Sequence, residues 1–160
     1  MMPFEPVRDL MRRTIANLQF IEVHKDRNGP YEVTQLINSF LGAVCHPWEA
    51  YRAELCTKSL AEAAAAGWPN ITKERPKDRD PDSLGDLVGL MRNAVAHGNA
   101  QFLPGQAGEI RALRIWNENR GKRTWGSLIT VDDMRRFLIK FVELAEELSA
   151  QQAISKKRSA

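Results

Sequence analysis

Residues 85–99 read GDLVGLMRNAVAHGN, and whether this stretch is a helix that ends in chemistry or a helix that merely ends decides how the rest of the chain is organised. At about 100° per residue, Leu84, Leu87, Val88, Met91 and Val95 fall in one narrow sector, which marks an amphipathic helix with its core on that side. Asp82 or Ser83 can cap its start, and Gly98 its end. Asn93 and His97 share the opposite side, whereas Arg92 lies about 140° round from His97. Gly85, Gly89 and Ala96 fall between these directions. Interior glycines cost about 1 kcal/mol each relative to alanine, so a closely docked neighbour is expected there. The same helix of a second subunit would gather two Arg92/His97 pairs round one cleft.

Spacing alone fits two readings. An arginine in the last turn and a histidine near the cap are favoured by the helix dipole without any chemistry. The same three side chains, Arg92, Asn93 and His97, could equally serve a reaction.

Working outward, residues 7–26 place Val7, Leu10, Met11, Ile15, Leu18 and Ile21 at helical steps. RNGP at 27–30 breaks this helix, and YEVTQLINSFLGAV follows as a buried central helix starting near Pro30. A third helix begins at HPWE, with Pro47 in its first turn, and runs through an alanine-rich stretch to Gly67. Residues 68–82, with three prolines and mixed charges, read as a surface loop with the composition of a mobile one.

Beyond the motif the period changes. EIRALRIWN and KRTWGSLIT, joined by ENRG, form a small hairpin over about 109–129. Thr130 with Asp133 then suggests a capping box for a last helix, whose stripe is Val131, Met134, Leu138, Phe141, Val142, Ala145 and Leu148. The expected fold class is all-α: a bundle of about five helices with a hairpin inserted before the last, one domain over 1–150, and a frayed polar tail over 151–160.

At 160 residues, with 43% apolar and 27% charged residues, the chain has the length and composition of one globular domain. No window is apolar enough to span a membrane and the N-terminal stretch is charged, so a cytoplasmic protein without a membrane partner is expected. Cys45 and Cys56 lack metal-ligand spacing and read as two buried thiols; no metal or cofactor is expected. His24 and His46 read as surface or cap residues, and Asp132, Asp133, Glu146 and Glu147 as solvated acids. No phosphate-binding loop, nucleophile elbow or zinc-protease motif occurs.

RNAVAH, an Arg-Asn-x-x-x-His pattern at the end of a helix late in a helical domain, resembles the signature of the HEPN superfamily. With GPYEVTQLINSFLG, HPWE and a tryptophan-bearing hairpin after LMRNAVAHGN, the chain is similar to the bacterial and plasmid-borne HEPN nuclease group over most of residues 8–148. The resemblance implies a helical domain that dimerises by apposing its motif helices and cleaves RNA without a metal, as in toxin-antitoxin pairs and phage defence. It implies Arg92 and His97 as the catalytic pair, with Asn93 as the accompanying polar residue, and an antitoxin or other regulatory protein as a partner. Asn99 stands where one group of these toxins carries a modifiable tyrosine, which speaks against that route of regulation.

The residue types suit the chemistry. Metal-free RNA cleavage uses the neighbouring 2'-OH, so protons must move and charge builds on phosphorus. Histidine, with an ordinary pKa of about 6.5, can act as base or acid, and arginine offers a permanent fork to phosphate oxygens. Asn93 could orient the imidazole or hold the phosphate. DNA lacks the nucleophile.

The hairpin adds Arg111, Arg114, Arg120, Lys122 and Arg123 beside Trp116 and Trp125, a set that could grip phosphates and stack bases, or could pack its tryptophans on the bundle with the charges in water. Two further alternatives to a ribonuclease stand: a non-catalytic module binding RNA, a nucleotide or a protein in the same cleft, and a purely structural dimerisation domain.

Overall fold

The computed structural model describes residues 4–24, 26, 31–45 and 47–158. The order is α1 (Phe4–Val23), α2 (Glu32–Phe40), a π-helical turn (Leu41–Cys45), α3 (Trp48–Cys56), α4 (Leu60–Ala65), α5 (Leu84–Ala96), β1 (Ala100–Pro104), β2 (Ile110–Asn119), β3 (Lys122–Thr130) and α6 (Val131–Arg158). The motif helix is α5, and it is the centre of the fold. Its core stripe is joined in the interior by Leu90, Ala94, Gly85 and Gly89, so it is buried nearly all round. It packs against α3, the π-helical turn and β2, while α6 backs the sheet and α1 and α2 close the far side.

The all-α expectation is overturned by a three-stranded antiparallel sheet in the order β1-β2-β3, which makes the fold a helix-rich α+β one. The hairpin is present as β2 and β3, turning through Arg120 and Gly121, both at positive φ, as a two-residue hairpin requires. The added strand is β1, pairing Ala100–Pro104 with Ile115–Ile110. Its sequence, AQFLP, is short and lacks alternation, and its proline is tolerated because the strand is at an edge. Pairing with β2 defines this strand, and its own pattern does not.

The helix expected from 47 to 67 is two. The chain breaks after Cys56, and Ser59 opens α4 with a reciprocal capping box to Glu62, which overrides the helix propensity of the flanking residues. Ser83 caps α5 by accepting the Asp86 N–H, and Thr130 caps α6 by accepting that of Asp133. Pro30 and His46 lie outside the described residues; α2 begins at Glu32. Helix α6 carries on to Arg158, through most of the segment expected to fray. Cys45 is buried as expected, but Cys56, at the end of α3, is exposed. No helix among the described residues is long and apolar enough to cross a membrane.

The loop expected at 68–82 is present, and it is anchored at several points. Trp68, Ile71 and Asp78 are buried. The segment runs along β3, donating Glu74 N–H to the Gly126 carbonyl (2.8 Å) and Arg79 N–H to that of Thr124 (3.0 Å). Ser127 Oγ donates to the Thr72 carbonyl (2.7 Å). Backbone bonds of this kind give three prolines and eight charges a fixed course.

Candidate active site

The last turn of α5 presents the motif. It closes in a Schellman arrangement: Gly98 N–H bonds to the Val95 carbonyl (3.1 Å) and Asn99 N–H to that of Ala94 (2.9 Å), with Gly98 at φ +70°. His97 is the cap residue, bound through its N–H to the Asn93 carbonyl (3.0 Å), and its side chain is exposed. Among the described residues the imidazole makes no hydrogen bond, so it is free to meet a ligand.

Arg92, half-buried, is held on three sides. Its guanidinium lies over the Trp48 ring, 5.6 Å from the centroid. Nε donates to the Cys45 carbonyl (3.5 Å), and Nη1 to Asn93 Oδ1 (3.0 Å). The π-helical turn ends at Cys45, next to the point where Arg92 docks. The Cys45 thiol sits against the Arg92 carbonyl (Sγ to O, 3.8 Å); burial pushes it up to about 12 despite the opposing pull of Arg92, so it remains a neutral thiol. The structure thus brings Arg92 and Asn93 together and leaves His97 one turn on, bonded to neither side chain.

The arginines of this protein divide by their partners. Arg12, Arg13, Arg79, Arg114, Arg123, Arg135 and Arg136 each meet a carboxylate. Arg92 is oriented by an aromatic face, a carbonyl and an amide, and no carboxylate among the described residues neutralises it. Its charge stays available to an anion.

Gly85 and Gly89 have their neighbours within the chain. A Cβ at residue 85 would stand 2.6 Å from the Cys56 backbone nitrogen, and one at residue 89 would stand 3.1 Å from the Trp48 ring. The close approach expected from these glycines is made by α3, which leaves Ala96, exposed between Asn93 and His97, as the small residue a second copy could meet. Gly85→Ala is therefore expected to destabilise the protein by about 2 kcal/mol, the backbone clash outweighing the gain in helix propensity. Urea unfolding should show this loss equally at all protein concentrations; a loss only at low concentration would place the contact between subunits.

The hairpin's candidate RNA residues do not form one patch. Trp125 is fully buried in the core. Arg123, 13% exposed, is locked to Asp78 (2.8 Å) and Glu74 (2.8 Å), and a Cβ at Gly126 would fall on its guanidinium. Arg114 bonds Glu74 (2.6 Å) and Gln101 (3.0 Å), and Trp116 Nε1 bonds Glu118 (2.9 Å). Arg114, Trp116 and Arg123 share an open groove of about 570 Å³ in which Glu74 and Glu118 offset much of the charge of Arg75, Arg114 and Arg123. Arg111 and Arg120 are exposed near opposite ends of β2, about 30 Å apart at ~3.3 Å per residue, with Lys122 beside the turn. The sheet does serve the motif: Trp116 N–H bonds the Asn99 carbonyl (3.1 Å), and Asn117 Nδ2 bonds that of Leu90 (2.8 Å), fixing the end of α5.

Sequence reasoning missed Trp48, Arg52 and the Cys45 carbonyl. The available signal was the Trp48/Arg52 pair, four residues apart on one helix. His24 stacks on Phe20, and Asp132, Asp133 and Glu146 pair with arginines of the same surface. Among the described residues no three His, Cys, Asp or Glu side chains gather as metal ligands.

No curated protein and no solved structure matches this chain. The family model described as HEPN pEK499 p136 matches residues 1–152, a span that takes in the motif, the helices around it and the sheet, and the chain belongs to that HEPN family.

Proposed function

We propose that this protein is an endoribonuclease that works as a homodimer and cleaves RNA without a metal ion. The 2'-oxygen adjacent to the scissile phosphate loses its proton and forms a bond to phosphorus; the bond to the 5'-oxygen breaks, and that oxygen takes a proton. The products are a 2',3'-cyclic phosphate and a 5'-hydroxyl. His97 acts as general base or acid, Arg92 neutralises charge on the phosphoryl oxygens, and the Asn93 amide N–H, its oxygen already occupied by Arg92, holds the phosphate.

The observation that carries the reading is the un-neutralised but firmly oriented Arg92, one turn from an exposed histidine. Unlike Arg79, Arg114, Arg123 and Arg135, Arg92 is positioned by groups that leave its charge without a carboxylate among the described residues. A two-fold contact centred on Ala96 would bring the Arg92 of one copy towards the His97 of the other. A toxin or phage-defence setting, with an antitoxin as regulator, suits such an activity.

The experiment is to incubate purified protein with unstructured RNA in EDTA. Cleavage leaving cyclic phosphate ends is expected. Tight RNA binding without turnover would instead favour the non-catalytic module, and neither binding nor cleavage would sink both.

A further inference from the structure

Trp48 carries a second guanidinium. Arg52 approaches it from one helical turn further along α3, its Cζ 5.0 Å from the ring centroid, so two cations from different helices stand on one indole. Neither is paired with a carboxylate among the described residues, although Glu49 and Glu54 lie on the same helix. Each cation lies within about 6 Å of the same ring centroid, so one indole holds two positive charges that an anionic backbone running past Trp48 can meet together.

The indole itself supports the same conclusion. Its Nε1–H is buried without an acceptor among the described residues, a cost that phenylalanine would not incur. What tryptophan adds is the strongest cation-attracting face of any side chain. Gly89 makes the room for that ring, since a Cβ there would press on it.

We infer that Trp48, Arg52 and Arg92 form a backbone clamp for single-stranded RNA, in which Arg52 grips a phosphate flanking the one held by Arg92. The assignment of Arg92 to the scissile phosphate rests on the ribonuclease reading; the grip of Arg52 on the strand does not. The clamp reads backbone, not bases, so it favours no sequence. It is also separate from the hairpin, where Arg114 and Arg123 are spent on Glu74 and Asp78.

The test is the affinity of the full chain for a fluorescent, uniformly 2'-O-methylated single-stranded oligonucleotide, which cannot be cleaved by this route, measured by anisotropy from low to high salt. Arg52→Ala is expected to weaken binding about tenfold at low salt and to lower the slope of log K against log salt by about 0.7, the loss of one phosphate contact on a single strand. Arg52→Lys should restore the slope but not the full affinity, because ammonium lacks the planar stack. Trp48→Phe should weaken binding with a cooperative melt retained. Arg13→Ala, an exposed arginine paired with Asp9, serves as the control and should change nothing. An Arg52→Ala protein with unaltered affinity and slope overturns the clamp, even if cleavage dependent on His97 is found. Loss of binding in Arg52→Ala with no cleavage by any variant leaves the clamp standing and removes the ribonuclease reading.

Discussion

Arg123→Met is expected to lower the free energy of unfolding by about 4 kcal/mol, the effect of removing one member of a buried ion network. From its place in a basic hairpin Arg123 passes for a surface cation, but its side chain is 13% exposed and that of Asp78 only 4%. Burial works against its charge, and the hydrogen bonds it donates to Asp78 and Glu74 outweigh that cost, so its pKa is raised. Without it, Asp78 keeps only the Arg75 N–H (3.1 Å) among the described residues, and the 68–82 segment loses its ion-pair anchor to β3. The measurement is urea unfolding followed by tryptophan fluorescence, to which buried Trp125 contributes. A loss below about 1 kcal/mol would mean that the network behaves as a screened surface pair. Acid supplies a second readout. Burial pulls the Glu74 carboxyl up, but Arg114 and Arg123 together hold it below its ordinary value. Its contribution is therefore complete above the ordinary carboxylate range and is lost as pH falls through the depressed folded value. The wild-type urea midpoint should fall between about pH 5 and pH 3, and Arg123→Met, with one Glu74 partner gone, should show less of that fall.

What could be read in the sequence, and what could not, follows the range of the interactions involved. Helices α1, α5 and α6 were legible because their apolar positions recur at local spacing, and Ser83, Gly98 and Thr130 mark their ends within a few residues. The β2–β3 hairpin was legible for the same reason. Strand β1 has no period of its own and exists because β2 offers an edge. Gly85 and Gly89 announced a close neighbour, but a glycine cannot say what approaches; the answer, α3, lies about 30 to 40 residues earlier in the chain. The hairpin cations were visible, while the acids that consume Arg114 and Arg123 come from the 68–82 loop, 40 to 49 residues away. Arg92 and His97 could be named from the motif. The Trp48 face and the Cys45 carbonyl, which make that arginine a fixed cation without a carboxylate, could not be named from local pattern at all.

His97→Ala is expected to reduce RNA cleavage about 1,000-fold, within the ~10²–10⁴ range of a general acid or base, while leaving RNA affinity and the melting temperature close to wild type. Stability should hold because the side chain is exposed and makes no hydrogen bond among the described residues; its place in the helix cap is kept by its backbone and by Gly98. Affinity should hold because the cations proposed to bind phosphate are Arg92 and Arg52. Arg92→Ala should lose turnover and affinity together, since its guanidinium is both a phosphate contact and a transition-state stabiliser. The two inactive proteins then test whether the site is shared. If the Arg92 of one copy works with the His97 of its mate, unfolding and refolding an equal mixture of Arg92→Ala and His97→Ala chains makes half the dimers mixed. Each of these has one intact site of two, so about a quarter of wild-type activity returns. If both residues act within one chain, every site in the mixture lacks one of them and no activity returns. Cleavage by His97→Ala at the wild-type rate would remove the histidine, and with it the ribonuclease mechanism, from this site.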